Sequence, residues 1–176
     1  SANTTAVSLG MSGLTYGVGG ASDEASQTLT YTITAIPSAI TVWLADGTTQ
    51  VTANATLSLV QLQGLKYKTV ANALGSGNLT WTMQDNGGTA NGGVDTLTET
   101  LGVTVNSVND APVLTAGTAA AVSVAEDSAN TTSVALGLTA LTYGAGGGTA
   151  ESSQTLTYKI TSIPALPKAG LRTTRI

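Results

Sequence analysis

A long internal repeat dominates this sequence, because residues 1–37 return at residues 128–164 with a constant offset of 127 residues. SANTTAVSLGMSGLTYGVGG becomes SANTTSVALGLTALTYGAGG, SQTLTYTITAIP becomes SQTLTYKITSIP, and 25 of the 37 positions are identical without a gap. Solenoid repeats typically span about 20–50 residues, so an offset this long indicates that the repeating unit is a whole domain. The sequence therefore predicts a tandem array, of which this chain contains one nearly complete unit and the opening part of a second.

The composition excludes several classes of partner and of stabilising chemistry. Charged residues make up 9% of the chain, and the formal net charge is -4. Nucleic-acid binding and attachment to an anionic membrane surface both need a basic surface, so neither is expected. The chain has no Cys and no His, which excludes disulfides and the usual zinc sites. No apolar run reaches the roughly 20 residues of a membrane-spanning helix, so membrane insertion is not expected either.

Alternation of apolar and polar residues with a period of two predicts strands throughout the chain. Thr occupies most of the alternate positions, where its branched β-carbon suits the solvent face of a strand. The predicted inward-facing residues are Leu29, Tyr31 and Ile33, then Leu79, Trp81 and Met83, then Leu97, Leu101, Val103 and Val105, then Val122 and Val124, and in the second copy Leu156, Tyr158 and Ile160.

Short Gly-rich turns separate these runs, as at Asp46-Gly47 and Asn86-Gly87-Gly88. Leu59, Leu62 and Leu65 recur at a spacing of three, which favours a single helical turn before a strand at Tyr67. The sequence thus predicts an all-β fold with about seven strands per unit in two packed sheets.

The boundary between the units is predicted at VNDAP, residues 108–112. Pro112 ends ladder pairing and favours an extended conformation at Ala111, which suits a short, stiff joint. We therefore divide the chain into residues 1–110, a unit lacking its first strand, and residues 111–176, a linker with the first part of the second unit and a divergent tail.

The motif VNDAPV, residues 108–113, resembles the linker of the cadherin-like and Ig-like tandem repeats of large bacterial surface proteins and adhesins. WTMQDNGGTANGGVDTLTETLGVTVNSVNDAPV, residues 81–113, looks like the last two strands and linker of such a domain, and AEDS at 125–128 resembles its early acidic element. The resemblance implies a Greek-key β-sandwich, Ca²⁺ near the linkers, and a role as a rod or adhesive module at the bacterial cell surface, outside the cell.

The chain departs from this resemblance before the strand TLTYTI, where many relatives carry alternating Asp residues. Here that place holds GGASDEASQ in the first copy and GGGTAESSQ in the second. The acid Glu24 persists as Glu151, whereas Asp23 becomes Ala150. Both Asp23 and Glu24 are therefore secondary candidates for binding an ion.

Calcium needs six to eight oxygen ligands, which strand ends and linkers can bring together at one end of a sandwich. Turn chemistry is the competing interpretation, because Asp and Asn often bond their own backbone in turns. The candidate ligands are Asp85, Asn109, Asp110, Glu126 and Asp127.

The aromatic and ionisable residues offer little chemistry of their own. Trp81 shares a face with Leu79 and Met83 and is expected in the core, whereas Trp43 is a candidate for an exposed role. Without His or Cys, no catalytic constellation is recognisable, and we expect a protein that is not an enzyme.

Three functions are compatible with these features. The leading one is a non-catalytic structural or adhesive repeat, stiffened by Ca²⁺, whose partners are neighbouring repeats and a cell-surface glycan or protein. The second is a carbohydrate-binding module that uses Trp43. The third is a filament or oligomer subunit, because incomplete units expose edges that a copy of the chain can fill by strand addition or swapping. A chance boundary of the gene is the alternative to this third reading.

Overall fold

The computed structural model describes residues 5–20, 22–123 and 135–164. Its strands are β1 (Val7–Ser8), β2 (Leu29–Ala35), β3 (Ile40–Trp43), β4 (Gln50–Val51), β5 (Thr56–Leu57), β6 (Lys66–Thr69), β7 (Gly75–Asp85), β8 (Thr96–Val105), β9 (Val113–Ala116) and β10 (Thr142–Gly144). One α-helix, α1 (Leu59–Gln63), and four 3₁₀ turns (Ser22–Glu24, Ala90–Gly92, Leu138–Ala140, Gly148–Glu151) complete the secondary structure. The predicted all-β fold is confirmed.

The first unit consists of two four-stranded antiparallel sheets. One sheet has the order β1-β6-β3-β4 and the other β5-β2-β7-β8. The Greek-key connection expected from the resemblance stays a prediction. A separate two-stranded ribbon, β9 with β10, joins the linker to the second unit.

The alternating residues of β2 and β7 form the centre of the second sheet. Tyr31 lies opposite Met83, and Ile33 lies opposite Trp81. Ile33 is fully buried and Trp81 is 4% exposed, as their spacing predicts. The indole N–H of Trp81 donates to the hydroxyl of Tyr16 at 3.2 Å, so the one polar group of this side chain is satisfied inside the core.

Both sheets contribute to one hydrophobic core. Ile40 and Val42 come from β3, whereas Ile33 and Leu79 come from the opposite sheet. Each side chain of this size contributes about 1.5–3 kcal/mol when it is removed from water. With no Cys in the chain, this apolar core is the main source of stability of the first unit.

The predicted helical turn is present as α1, and its ends are well defined. Ser58 accepts a hydrogen bond from the Gln61 backbone N–H, and the Gln61 side chain accepts one from the Ser58 N–H, which is a capping box. Leu62 and Leu65 are fully buried. Their spacing of three places both on the face of this segment that packs against the core.

Strand β8 lies at the edge of its sheet, and its apolar face is only partly covered. Leu101, Val103 and Val105 pack against the core as predicted. Leu97 is 53% exposed, contrary to the inward position predicted for it. An edge strand has a neighbour on one side only, so its end can lie outside the core even where the period-two pattern continues.

The strand predicted at residues 156–160 does not form in the structure, and the strand predicted at Val122 and Val124 lies only partly within the described residues. Residues 156–160 have no strand assignment, and Tyr158 and Ile160 are 70% and 81% exposed. Val122 is also outside any strand and 61% exposed, and Val124 lies outside the described residues. In the first unit the matching segment β2 pairs with β5 and β7, and the described residues of the second unit provide no equivalents of these partners.

Candidate functional site at the joint between the units

The linker that follows β8 is held by a turn of the second unit. The backbone N–H of Asp110 donates to Glu151 Oε1 at 2.8 Å, and Gln154 Nε2 donates to Asn109 Oδ1 at 3.0 Å. The Asn109 amide also donates to the Asp110 carbonyl at 3.1 Å. Two side chains of the turn thus bond two consecutive residues of the linker, one of them through a charged acceptor, which makes the stronger kind of hydrogen bond.

This turn lies against one end of the first unit. A cleft of about 180 Å³ separates the two, and its walls come from the β6–β7 loop, from the residues after β8, and from Gly147 and Ala150 of the turn. Gly148 lies close enough that an added β-carbon would come within 3.4 Å of the Asn72 side chain. The second unit therefore contacts the first directly as well as through the covalent linker.

Two glycines let the backbone of the turn lie close to the carboxylate of Glu151 and to the linker. Gly147 has a φ of +45°, and a β-carbon there would collide with the Glu151 carboxyl group. Gly146 has a φ of +92°, and a β-carbon there would lie 2.5 Å from the Ala111 carbonyl oxygen of the linker. Only glycine permits both the positive φ and this close approach of the two segments.

Glu151 is the buried acid of the joint. It is 2% exposed, and its Oε2 has no hydrogen-bond partner among the described residues. Burying a carboxylate is unfavourable unless it is paired or bonded, so the second oxygen of Glu151 is available to accept a further hydrogen bond.

The structure brings together only part of the predicted calcium ligand set. Asn109 and Asp110 lie at the joint, whereas Asp85 ends β7 at the far end of the first unit. Gly75, at the other end of β7, pairs with Val105, from which the linker departs. A strand rises about 3.3 Å per residue, so the 11 residues of β7 place Asp85 about 30 Å from the start of the linker.

The other two predicted ligands, Glu126 and Asp127, lie outside the described residues. Within the described ranges no group of three or more His, Cys, Asp or Glu residues is arranged to hold a metal ion. The joint itself offers the carboxylates of Glu151 and Asp110 and neighbouring carbonyl groups, which is short of the six to eight oxygens that Ca²⁺ requires. The described residues do not by themselves fit a calcium site.

The acids at the far end of the first unit make local bonds. Asp85 Oδ1 accepts the Gly87 N–H at 2.8 Å, which is ordinary turn chemistry. Hydrogen bonds from Gln84 and then Thr96 hold the pKa of Asp95 below its usual value. Asp23 and Glu24 belong to the 3₁₀ turn Ser22–Glu24, with Asp23 exposed and Glu24 half-buried.

The most strongly perturbed carboxylate belongs to a predicted hairpin turn far from the joint. Asp46 Oδ2 accepts the Thr49 hydroxyl at 2.6 Å, and Oδ1 accepts the Thr49 and Thr48 N–H groups at 2.8 Å each. These bonds, with that of the Thr49 side chain foremost, lower the pKa of Asp46 to about 2. The hydrogen bonds that lower this pKa stabilise the turn between β3 and β4. The shift therefore reflects turn structure and not a cleft with a second acid.

The two tryptophans have different environments. Trp81 is a core residue, as predicted. Trp43 is half-buried on the face of β3 opposite Val42, its Nε1 donates to Thr41 Oγ1 at 2.8 Å, and Lys68 Nζ lies 4.1 Å from its ring centroid. The lysine covers a face of the indole, which leaves less of the ring for stacking against a sugar.

Sequence reasoning did not select Glu151 and Gln154, although the repeat contained the signal. Glu24 and Gln27 recur in the second copy as Glu151 and Gln154. Asp23, which lies between Glu24 and the glycines that precede it, is replaced by Ala150. Retention of an acid and an amide in a changing loop marks positions that the repeated architecture uses.

Comparison with protein-family models, curated proteins and solved structures finds no match to this chain. In the described part of the chain, every helix is too short or too polar to cross a bilayer. The arrangement of the joint is therefore the principal guide to function.

Proposed function

We propose that this chain is a non-catalytic structural repeat of an extracellular bacterial surface protein, with a Greek-key sandwich as its unit. The observation that carries the proposal is the polarity of the joint. The turn ending in Glu151 lies against the β6–β7 end of the first unit, whereas the corresponding turn at Glu24 lies at the opposite end, beside Gly87. We infer that the rotation at this head-to-tail contact does not close into a ring, so that successive contacts extend a chain of units into a rod.

The polar but weakly charged surface supports a spacer role. Charged residues are 9% of the chain, and the longest strand, β7, runs the full length of the unit. The sandwich sets the distance from joint to joint, and the bonds of Glu151 and Gln154 limit bending there. A glycan or protein at the cell surface is then bound by another part of the array or by its exposed faces.

Small-angle X-ray scattering of chains containing one, two and three consecutive 127-residue periods tests the rod. The maximum dimension should rise by a constant increment per period, at least the ~33 Å length of an 11-residue strand. A radius of gyration that grows as for a compact globule, or as for a flexible chain, would contradict the rod.

Calcium is a separate part of the proposal, and it requires Glu126 and Asp127 to join Asp110 and Glu151. If the ion binds, a chelator lowers the melting temperature of a chain with several periods, and Asp127→Asn removes that dependence. The matched control is Asp46→Asn, which changes an acid that is fully engaged elsewhere. A melting temperature unaffected by chelator ends the calcium part and leaves the rod intact.

Self-assembly is a second candidate function, favoured by a specific exposed surface. Tyr158, Ile160 and Ile163 are 70–81% exposed, whereas Tyr31 and Ile33, the counterparts of the first two, are 6% and 0% exposed. In the first unit these counterparts pair with β7, which also pairs with β8 on its other side. The occupant we assign is therefore the β7 of a second copy, exchanged between copies by domain swapping.

Sedimentation velocity over a range of concentrations tests this second function. Association that Ile160→Asp abolishes, and that Val60→Asp leaves unchanged, supports strand exchange, because Val60 is 76% exposed on α1 and lies outside β7. A monomer at all concentrations refutes it.

A carbohydrate-binding module is the remaining alternative. It depends on Trp43, whose ring lies beneath Lys68. A glycan array without hits, or unchanged glycan binding by Trp43→Ala, removes it.

A further inference from the structure

The first unit carries a turn equivalent to the one that holds the linker. At the offset of 127 residues the two turns have identical residues at four positions that shape or make the contact. These pairs are Gly19 with Gly146, Gly20 with Gly147, Glu24 with Glu151 and Gln27 with Gln154.

The two turns also share backbone features at their described residues. Gly19 and Gly20 have φ values of +75° and +56°, close to +92° and +45° at their counterparts. The Gln27 N–H donates to the Glu24 carbonyl at 2.9 Å, and the second unit has the same bond between Gln154 and Glu151 at 2.9 Å. In both turns a β-carbon on the second glycine would collide with the glutamate side chain.

The two turns differ in how deeply their contact groups are buried. Glu151, which bonds the linker, is 2% exposed, whereas Glu24 is half-buried. A β-carbon on Gly146 would meet the linker at 2.5 Å, whereas one on Gly19 would meet nothing within 4 Å. The first turn has the shape of the contact, and no segment among the described residues fills it.

We propose that the Glu24–Gln27 turn is a docking site for the Asn-Asp-Ala-Pro linker of a preceding unit, an inference that rests on the proposed tandem array. Glu24 accepts the backbone N–H of the Asp, and Gln27 donates its amide to the Asn side chain. These are the bonds that Glu151 and Gln154 make to Asp110 and Asn109.

The chemistry of this end of the unit favours a peptide segment over an ion. Within the described residues no cluster of three potential metal-ligating acids exists. The nearby acids Asp85 and Asp95 are engaged in local bonds, and the additional negative charge repels an anion. A backbone N–H is a neutral donor, so it can bond the Glu24 carboxylate without adding charge to this end of the unit.

A linker within the same polypeptide is the expected occupant, in preference to the linker of a separate copy. In a separate copy, the segment Asn109–Pro112 is already held by its own Glu151 and Gln154. A preceding unit in the same chain also presents its linker at the high effective concentration of a covalent connection.

The test uses a duplicated chain in which residues 1–127 precede Ser1 of the full sequence, which preserves the repeat offset. Hydrogen exchange of the Asp110 amide in the added unit is measured by NMR with segmental labelling. Glu24→Ala in the full-sequence part of the duplicated chain should accelerate this exchange by about 10- to 150-fold. This range corresponds to the loss of one hydrogen bond to a charged group. Gly19→Ala should accelerate it as well, because its β-carbon then meets the added linker.

The matched control is Asp23→Ala, which introduces the residue that the second unit has at position 150. It should leave the exchange of the added Asp110 unchanged. In the original chain of 176 residues, Glu24→Ala should leave the exchange of Asp110 unchanged, because that residue is held by Glu151.

Equal exchange in Glu24→Ala and the unmutated duplicated chain overturns the proposal, as does an equal effect of Asp23→Ala. Protection that depends on protein concentration shows docking between copies and overturns the assignment to a preceding unit. A constant scattering increment per period with no effect of Glu24→Ala leaves the rod in place and rejects only this docking site.

Discussion

Gly146 and Gly19 form a matched pair that isolates the contact at the joint. Both have a positive φ, so an alanine at either position costs about 1–2 kcal/mol in backbone strain. Only at Gly146 does the new β-carbon meet another segment, the Ala111 carbonyl oxygen at 2.5 Å. Ordinary contact begins at 3.4 Å, so in Gly146→Ala the turn and the linker must separate by about 1 Å.

That separation should break the bond between Glu151 Oε1 and the Asp110 N–H. The bond is 2.8 Å long, and a donor and acceptor beyond 3.6 Å no longer make one. Hydrogen bonds to charged groups contribute about 1.5–3 kcal/mol, so exchange of the Asp110 amide should accelerate by about 10- to 150-fold.

Amide hydrogen exchange of both variants, followed by NMR in the full chain, measures this effect directly. Gly19→Ala should lower the stability of the first unit by the strain alone and leave Asp110 protected. If both variants accelerate the exchange of Asp110 equally, backbone strain accounts for the result and the contact between turn and linker is not significant.

Three further predictions concern the first unit. Leu79→Ala should reduce the free energy of unfolding by about 2–5 kcal/mol in urea denaturation, because Leu79 is fully buried between the sheets, whereas Val94→Ala, at a site 84% exposed, should change it by less than about 0.5 kcal/mol. Ser58→Ala removes the cap of α1 and should cost about 0.5–2 kcal/mol in the same assay; no loss would mean that the capping box with Gln61 is not needed. Asp46 has a pKa of about 2 in the folded protein, below the unfolded value of about 3.9, so its stabilising effect is present above pH ~4 and is lost as the pH falls toward 2. Asp46→Asn should therefore flatten the acid end of the melting-temperature profile, and an unchanged profile would contradict the role of the turn.

The alternation of apolar residues was sufficient to predict the central strands of the first unit. Leu79, Trp81 and Met83 are all less than 5% exposed, as their period of two requires. The same pattern was insufficient at Leu97, because position within a sheet determines how much of a strand is covered. The period-two pattern predicts which side chains share a face of the strand, whereas the neighbouring strands determine how deeply that face is buried.

The second copy shows the limit of local pattern most clearly. TLTYTI and TLTYKI differ by one residue, yet the first is a central strand and the second has no strand assignment. Local sequence is nearly the same, so the difference comes from partners far away in the chain. In the first unit β7 pairs with β2 across about 50 intervening residues. A strand is stabilised by its ladder, and no segment can provide that ladder alone.

The sequence by itself determined the repeat, the all-β class and the turns, because the strand and turn signals depend on residues that are close together in the chain. Which acids meet was decided only by the tertiary structure. The sequence placed Asp85 and Asp110 in one ligand set, yet the length of β7 separates them at opposite ends of the unit. The residue that bonds Asp110 is Glu151, 41 residues later in the chain. The antiparallel sheets fold the chain back on itself, so distance along the sequence does not indicate which groups share a joint.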